Sequence, residues 1–584
     1  MALVRNYRAT IFPAETMSNR NLAHVIVDSL ANAGVKIVFG IPGAKVDGVF
    51  DALRDHPSIK LIVCRHEQNA AFMAAAVGRL TGLPGVCLVT SGPGTSNLVT
   101  GLATATTEGD PVLAIAGTVS RLQAARHTHQ SLDVNKVLEG VCKSVIQVGV
   151  EDQVSEVIAN AFRQARRFPQ GATAVALPMD IIKSTSVGVP PFPALSFESP
   201  GYGSSNAKLG KIAVDKLLGS KYPVILLGMR SADPSVVHAV RRMIMNHTLP
   251  VVETFQAAGA ISEDLLNRYY GRVGLFRNQP GDKILARADL IITVGYDPYE
   301  YDAETWNVDN PTTIHNIIHV DYTDARVSQH YMPQVELVGN PADIIDEMAS
   351  SIQAFKPKFW SGAEDALENI RQEIDKWQST ATANIILDGP VQPTHFVYQL
   401  RHYLPKDTVV AVDVGTVYIY MMRYFQIYSP RHLLCSNGQQ TLGVGLPWAI
   451  AASLTQEPKP CSKKVVSISG DGGFMFSSQE LATAVQQKCN ITHFIWNDSA
   501  YNMVEFQEEA KYGRSSGIKL GGIDFVKFAE AFEGAKGYRV TTTGELKSVM
   551  KEALEFQGVA VVDVRIDYSK SHELMKNIIP KDYR

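Results

Sequence analysis

One pattern recurs through the 584-residue chain and limits its fold more than any other feature. A short, β-branched apolar run stops at a turn, often glycine-rich, and a helical stretch follows. In the first third the runs are residues 37–39 before Gly40-Ile41-Pro42-Gly43, 61–64, 86–90 before Ser91-Gly92-Pro93-Gly94, 112–116 and 172–177. Runs this apolar have no polar face to leave in water, so the strands they form must be covered on both sides. Strands alternating with helices meet that demand as parallel sheets with helices on each face. Residues 69–80, rich in Ala and Met, read as a buried helix of such a layer. The expected class is α/β.

The pattern breaks over 189–205, where Pro190, Pro191, Pro193, Pro200, Gly201 and Gly203 mark a linker. It resumes at 224–227, 251–254, 290–294 and 317–320. A second connection, 356–393, holds a stretch at 363–377 that reads as an exposed helix. Apolar runs return at 409–412, 465–469, 493–496 and 559–564. We expect three doubly wound parallel-sheet domains over residues 17–188, 206–355 and 394–570. The first and third look like structural cousins, although no sequence repeat is visible.

Composition removes several classes of function. Formal net charge is −3 with no run of Lys or Arg, so no surface for tracking nucleic-acid phosphates is expected. No apolar stretch reaches the roughly 18 residues of a membrane span. The six cysteines form no CxxC pair and are expected to be reduced thiols of a cytoplasmic protein. Met1 to Thr16 lacks a long apolar core and makes a poor secretory signal.

The segment richest in chemistry is Val465-Val466-Ser467-Ile468-Ser469-Gly470-Asp471-Gly472-Gly473-Phe474. An apolar strand ends in a turn of glycines around one acid. Glycine lets backbone approach a ligand closely, and N–H groups opening a helix suit phosphate. Asp471 offers a hard oxygen for Mg²⁺. A second run, ending in Asn497-Asp498, places another acid 27 residues after Asp471. On neighbouring parallel strands both acids would meet at one carboxyl edge, where ligands bind in open α/β sheets. No Gly-x-Gly-x-x-Gly supports a nicotinamide site, since Ser91-Gly92-Pro93-Gly94-Thr95-Ser96-Asn97 lacks the third glycine.

With this spacing the chain resembles the thiamine-diphosphate enzymes, whose metal motif is Gly-Asp-Gly and, one strand–helix–strand unit later, Asn-Asn. Here Asp498 replaces the second Asn. The resemblance implies that Asp471, Asp498 and the carbonyl of Ala500 hold Mg²⁺ against the diphosphate. It also makes Glu67, in Arg65-His66-Glu67-Gln68-Asn69-Ala70-Ala71-Phe72-Met73-Ala74, the acid that activates the cofactor through its pyrimidine ring. A buried carboxyl between strand and helix would suit that proton sharing. In such enzymes the glutamate and the diphosphate site come from different subunits, which implies at least a homodimer, with a homotetramer the favoured assembly.

The resemblance runs from about residue 21 to 567 and is nearest to the catabolic acetolactate synthases of the butanediol pathway. It rests on Phe39-Gly40-Ile41-Pro42-Gly43-Ala44-Lys45, His129-Gln130-Ser131-Leu132-Asp133, Asn437-Gly438-Gln439-Gln440-Thr441-Leu442-Gly443 and Tyr501-Asn502-Met503-Val504-Glu505-Phe506-Gln507. It implies condensation of two pyruvates to 2-acetolactate and CO₂ through a thiamine-bound hydroxyethyl enamine. Leu442 matches the residue that wedges the cofactor into a bent shape. Gly415, Thr416 and Val417 would face the diphosphate with Gly470, Gly472 and Gly473. Thr90, Gly92, Asn97 and Met503 would complete the cofactor site, and Lys45, Gln130 and Gln507 would handle pyruvate.

Two departures separate the chain from the biosynthetic acetohydroxyacid synthases. Those carry Trp where this chain has Gln507, and a Gly-Ala-Arg-Phe-Asp-type FAD string where it has Gly295-Tyr296-Asp297-Pro298-Tyr299-Glu300-Tyr301. We therefore expect no FAD and no regulatory subunit. Other readings stay open from sequence alone: a pyruvate decarboxylase or oxidase using the same cofactor, or a catalytically silent homologue. His127 and His129, separated by Thr128, do not make the adjacent histidine pair typical of the decarboxylases.

Overall fold

The computed structural model describes residues 21–578 except 187, 200, 276, 308–315, 384 and 457–462. Met1 to Thr16 and Cys461 lie outside the described residues, and the other five cysteines are free thiols. Three six-stranded sheets follow one another along the chain, and every strand pair in them is parallel. The first contains β1 (Ile37–Gly40), β2 (Lys60–Val63), β3 (Gly85–Val89), β4 (Val112–Thr118), β5 (Ser144–Gln147) and β6 (Ala172–Pro178). The second contains β7 (Pro223–Leu227), β8 (Val251–Glu253), β9 (Tyr269–Arg272), β10 (Leu290–Val294), β11 (Ile317–Asp321) and β12 (Val335–Val338). The third contains β13 (Val410–Val412), β14 (Leu433–Leu434), β15 (Val465–Gly470), β16 (Ile491–Asn497), β17 (Ala535–Val540) and β18 (Val559–Arg565).

The first sheet runs β2-β1-β3-β4-β6-β5 and the third β14-β13-β15-β16-β18-β17. Counted from its own first strand, each has the order 2-1-3-4-6-5, so the two sheets are the cousins their sequences suggested. The middle sheet, β12-β11-β10-β7-β8-β9, has the order 3-2-1-4-5-6. Each order reverses inside its sheet, beside β1/β3, β7/β10 and β13/β15, and opens a crevice at the carboxyl ends there.

Five strands have no counterpart among the apolar runs: β5, β9, β12, β14 and β17. All five are sheet edges. An edge strand pairs on one side only and tolerates polar residues. Thus β17 carries Lys536 and Arg539, β9 carries Arg272, and β14 is two residues long. The linker helix Glu364–Thr382 is exposed as expected, burying Leu367, Ile370 and Ala381.

Helices rather than strands join the first and third units. Helix Glu67–Thr81 buries Ala70 to Ala76, and helix Gly445–Thr455 buries every residue from Gly445 to Leu454. Their apolar side chains belong to one continuous core. A helix apolar on all sides needs neighbours on all sides, and each supplies part of the other's cover. The middle unit docks through its backbone. Gly259 sits at φ +90°, and a Cβ there would lie 2.1 Å from the carbonyl oxygen of Ser429. Arg272, paired with Glu253 in the core, donates to the carbonyls of Met422 and Phe425 at 2.8 and 2.9 Å.

All three units meet at Glu108, which is 1% exposed. Its carboxyl accepts from Gln256 of the middle unit, and from Ser436 Oγ (2.8 Å) and the backbone N–H groups of Asn437 (3.0 Å) and Gly438 (2.9 Å) of the third. Each buried donor left without an acceptor costs about 1–3 kcal/mol. Glu108→Ala should therefore lower the thermal unfolding midpoint by several degrees. An unchanged midpoint in a calorimetric scan would show that this junction contributes nothing to stability.

Candidate active site

At the carboxyl edge of the third sheet, β13, β15 and β16 are neighbours and their following turns open on one side. Register pairs Gly470 with Trp496, which places Asp471 and Asp498 side by side just beyond the sheet. Asp471 is 4% exposed. One of its oxygens accepts from the N–H of Gly472 (2.8 Å) and the other from that of Ser499 (2.7 Å). Ser499 stands at φ +58°, the left-handed conformation that turns its N–H back toward Asp471. Burial raises the Asp471 carboxyl above its ordinary range. Burial and the neighbouring Asp471 push Asp498 up to about 7. A buried and a half-buried carboxyl side by side form a donor set suited to a cation. Among the described residues no group of three or more His, Cys, Asp or Glu side chains could hold a metal. The remaining ligands would have to be backbone or ligand oxygens, the usual situation of Mg²⁺ against a phosphate.

The turns enclose a cleft of about 270 Å³. Gly415, Thr416 and Val417 line it after β13, Gly470 to Gly473 after β15, and Asp498 and Ala500 after β16. Leu442, Met503 and Gln507 line it as well, with Leu442 Cδ2 placed to touch any Cβ added at Gly473. A Cβ at Gly415 or Gly470 would meet nothing within 4 Å, so backbone faces open space at both. At Gly472, by contrast, a Cβ would lie 2.5 Å from the Tyr501 ring. Glycine is needed there for packing.

The sequence reading gave no role to Asp413, the acid that holds this cradle together. It is 1% exposed and accepts from the N–H groups of Val414 (2.8 Å), Gly443 (2.9 Å) and Gly445 (3.0 Å). It thereby ties the turn after β13 to the segment carrying Leu442. Burial, opposed by these N–H groups, pushes its carboxyl up to about 6. An acid closing an apolar strand was the available signal. Asn502, whose string carries no signal of its role, accepts from Thr416 Oγ1 at 2.9 Å.

The other candidate residues gather at the carboxyl edge of the first sheet. Lys45 follows β1, Glu67 follows β2, Thr90, Gly92 and Asn97 follow β3, and Gln130 lies in the segment after β4. The turns pack closely: a Cβ at Gly43 would lie 2.5 Å from Thr90 Cβ, and one at Gly92 would lie 3.2 Å from Gln130 Cβ. Glu67 opens its helix and accepts from Asn97 Nδ2 at 2.9 Å. The expectation of a buried Glu67 needs correcting for the single chain. The side chain is half-buried, because the first helical turn stands at the open edge of the sheet. Neither Glu67 nor Lys45, Thr90, Gly92, Asn97 or Gln130 lines the cleft around Asp471.

Three family models match the chain in order: the N-terminal thiamine pyrophosphate binding domain of thiamine pyrophosphate enzymes over 20–137, their central domain over 211–348, and their C-terminal thiamine pyrophosphate binding domain over 413–564. The chain is 44% identical to the acetolactate synthase of Bacillus subtilis (strain 168) over 576 residues, 99% of this chain and 98% of that protein. It is 41% identical to the catabolic acetolactate synthase of Raoultella terrigena, covering 95% of this chain and 96% of that one. A probable acetolactate synthase large subunit from Methanococcus aeolicus is 30% identical over 94% of this chain and 93% of its own length.

Two substitutions test the acid pair. Asp471→Ala should abolish metal-dependent binding of thiamine diphosphate, measured calorimetrically. Asp498→Asn keeps an oxygen ligand and should bind within about tenfold of the parent, a difference of about 1.4 kcal/mol. A folded Asp498→Asn protein unable to bind the cofactor would overturn the pairing of these two acids as metal ligands.

Proposed function

Because the chain belongs to the thiamine-diphosphate-dependent acetolactate synthases, we propose that it is of the catabolic type, joining two pyruvates into 2-acetolactate with loss of CO₂ and using Mg²⁺ but neither FAD nor a regulatory subunit. The observation that carries this reading is the single cleft that brings Asp471, Asp498, the open backbone of Gly415 and Gly470, and Gln507 together. When bound, thiamine diphosphate supplies a nucleophilic carbon and an electron sink for decarboxylation. Asp471, Asp498 and the Ala500 carbonyl would hold Mg²⁺ there, while the turns at Gly415–Val417 and Gly470–Gly473 receive the diphosphate. Leu442 and Met503 would press on the cofactor from the apolar side. Glu67, steadied by Asn97, would exchange a proton with the pyrimidine ring. Lys45 would attract the pyruvate carboxylate, and Gln130 would hydrogen-bond the substrate.

The middle unit argues against FAD. At the β7/β10 crevice, where a dinucleotide would lie, a Cβ on Gly228 would fall 2.6 Å from the Gly295 carbonyl oxygen. Arg230 then bridges Asp297 and Asp321, all three buried or nearly so. The cavity beside this ion triad measures about 220 Å³.

The catabolic assignment rests on Gln507 and on the Raoultella terrigena relative. An apolar pocket discriminates one methylene by roughly 1–3 kcal/mol, about 10–200-fold. An amide gains little from the extra methyl of 2-ketobutyrate. Incubated with Mg²⁺, thiamine diphosphate, pyruvate and 2-ketobutyrate, the protein should release mainly 2-acetolactate. Gln507→Trp should move the product ratio toward 2-aceto-2-hydroxybutyrate. Acetaldehyde or acetate as the main product would overturn the reading, and a parent preference for 2-ketobutyrate would overturn the catabolic type.

The same reading extends to assembly. Among the described residues Glu67 does not line the cleft of the acid pair and stands at the edge of a different sheet, which supports a site drawn from two copies of the chain. Apolar side chains stand exposed near both edges: Leu122 (79%), Phe476 (46%) and Val504 (42%). Glu67→Gln and Asp471→Ala proteins, each nearly inactive alone, should recover activity when co-refolded, since a mixed dimer holds one intact site. A mixture as inactive as its components would rule out a site shared between subunits.

A further inference from the structure

We propose that Glu480 is a positioning residue that sets the place of Glu67 from the opposite end of the chain, an inference that rests on reading Glu67 as the activating acid. Glu480 closes the short 3₁₀ turn Ser478–Glu480, nine residues beyond Asp471, and is wholly buried. Its Oε1 accepts three hydrogen bonds, all from the first unit: the N–H of Arg65 at 2.9 Å, the N–H of His66 at 3.1 Å and Asn69 Nδ2 at 3.1 Å. Its Oε2 accepts from Thr483 Oγ1 at 2.6 Å. The three outer donors bracket Glu67, two immediately before it and one two residues after.

The placement matters because of where those donors sit in the helix. Arg65 and His66 precede helix Glu67–Thr81, and their N–H groups have no acceptor within it. Glu480 supplies that acceptor and so sets the angle at which the chain enters the helix. His66, extended at φ −155°, caps the helix by accepting from the Gln68 N–H through its ring. Glu67 is thus held twice, by Glu480 through the backbone of the two residues before it and by Asn97 through its own carboxyl. The Arg65 side chain gives a second tie between the units, donating to Gln486 Oε1 at 2.9 Å. Loss of Glu480 should then loosen the Glu67 turn without parting the units. The same residue links the metal turn of its own chain to Glu67, although the two would serve different sites of a dimer.

The test reads deuterium uptake at the thiazolium C2 of cofactor bound to the holoenzyme, beside cofactor affinity and unfolding midpoint. A misplacement of about 1 Å can cost on the order of 100-fold in rate. Glu480→Ala should slow uptake about 10- to 100-fold with cofactor affinity within a few-fold of the parent. Glu480→Gln keeps Oε1 and should exchange at the parent rate. In Glu67→Gln, itself slow, adding Glu480→Ala should slow uptake no further, because the two act as a unit. Parent-rate exchange in Glu480→Ala, with Glu67→Gln slow, overturns the positioning role and leaves Glu67 in place. Parent-rate exchange in Glu67→Gln overturns the reading beneath both. A Glu480→Gln protein as slow as the alanine variant would show that hydrogen bonding through Oε1 is not the cause. Should Glu480→Ala fail to fold, Glu480→Asp, with its carboxyl drawn back by one methylene, must show the slowed uptake. Parent-rate exchange there overturns the proposal equally.

Discussion

The buried carboxyl of Glu108 gathers donors from two units other than its own, and much of the molecule is arranged around that fact. Gln256 reaches it from the middle unit, and Ser436, Asn437 and Gly438 reach it from the third. Asn437 extends the junction. Its side chain donates to Glu300 at 3.3 Å and accepts from Tyr418. Glu300, also buried, accepts from Thr254 Oγ1 and the Met229 N–H, on the turns at the carboxyl edge of the middle sheet. Tyr418 lies in helix Thr416–Tyr424, whose opening residues line the cleft, and it shares a hydrogen bond with Tyr301. Buried polar networks of this kind are stable only when complete, because each missing partner leaves a desolvated group. The relative placement of the three sheets is therefore a condition for the cleft's shape.

A second carboxyl, Glu480, does comparable work between the first and third units, at the end of the long apolar contact between helices Glu67–Thr81 and Gly445–Thr455. The apolar contact supplies most of the burial but has little directional preference. The hydrogen bonds to Arg65, His66 and Asn69 have strong directional preference, and they choose one orientation among those the apolar faces would allow. With that orientation none of the candidate residues at the carboxyl edge of the first sheet lines the cleft around Asp471.

Legibility in the sequence followed burial. Central strands such as β4, β10 and β15 are covered on both faces, so each is a continuous apolar run and each was readable. The edge strands β5, β12 and β17 are only partly buried, carry polar residues and were not. The candidate site shows the same division. Asp471, Asp498 and the glycines around them are recognisable by residue type and by a spacing of one strand–helix–strand unit. Asp413 and Glu480 are single acids in apolar surroundings. Their roles come from partners 1 to 32 residues away for Asp413 and more than 400 residues away for Glu480.

By itself, then, the amino-acid sequence determined the three parallel sheets, the turn that closes on Asp471, the acid at 498 and the glutamate that opens the helix at 67. Each is written locally, in apolar runs, in glycines that leave backbone facing open space, and in short spacings along one unit. Tertiary structure alone decided which turns share a cleft, that Glu67 stands half-buried at a different edge, and that Arg230 pairs with both Asp297 and Asp321 beside the middle crevice. Those outcomes depend on hydrogen bonds and ion pairs between residues far apart in the chain. Whether such partners meet is settled by how the sheets and helices pack, and no local pattern records it.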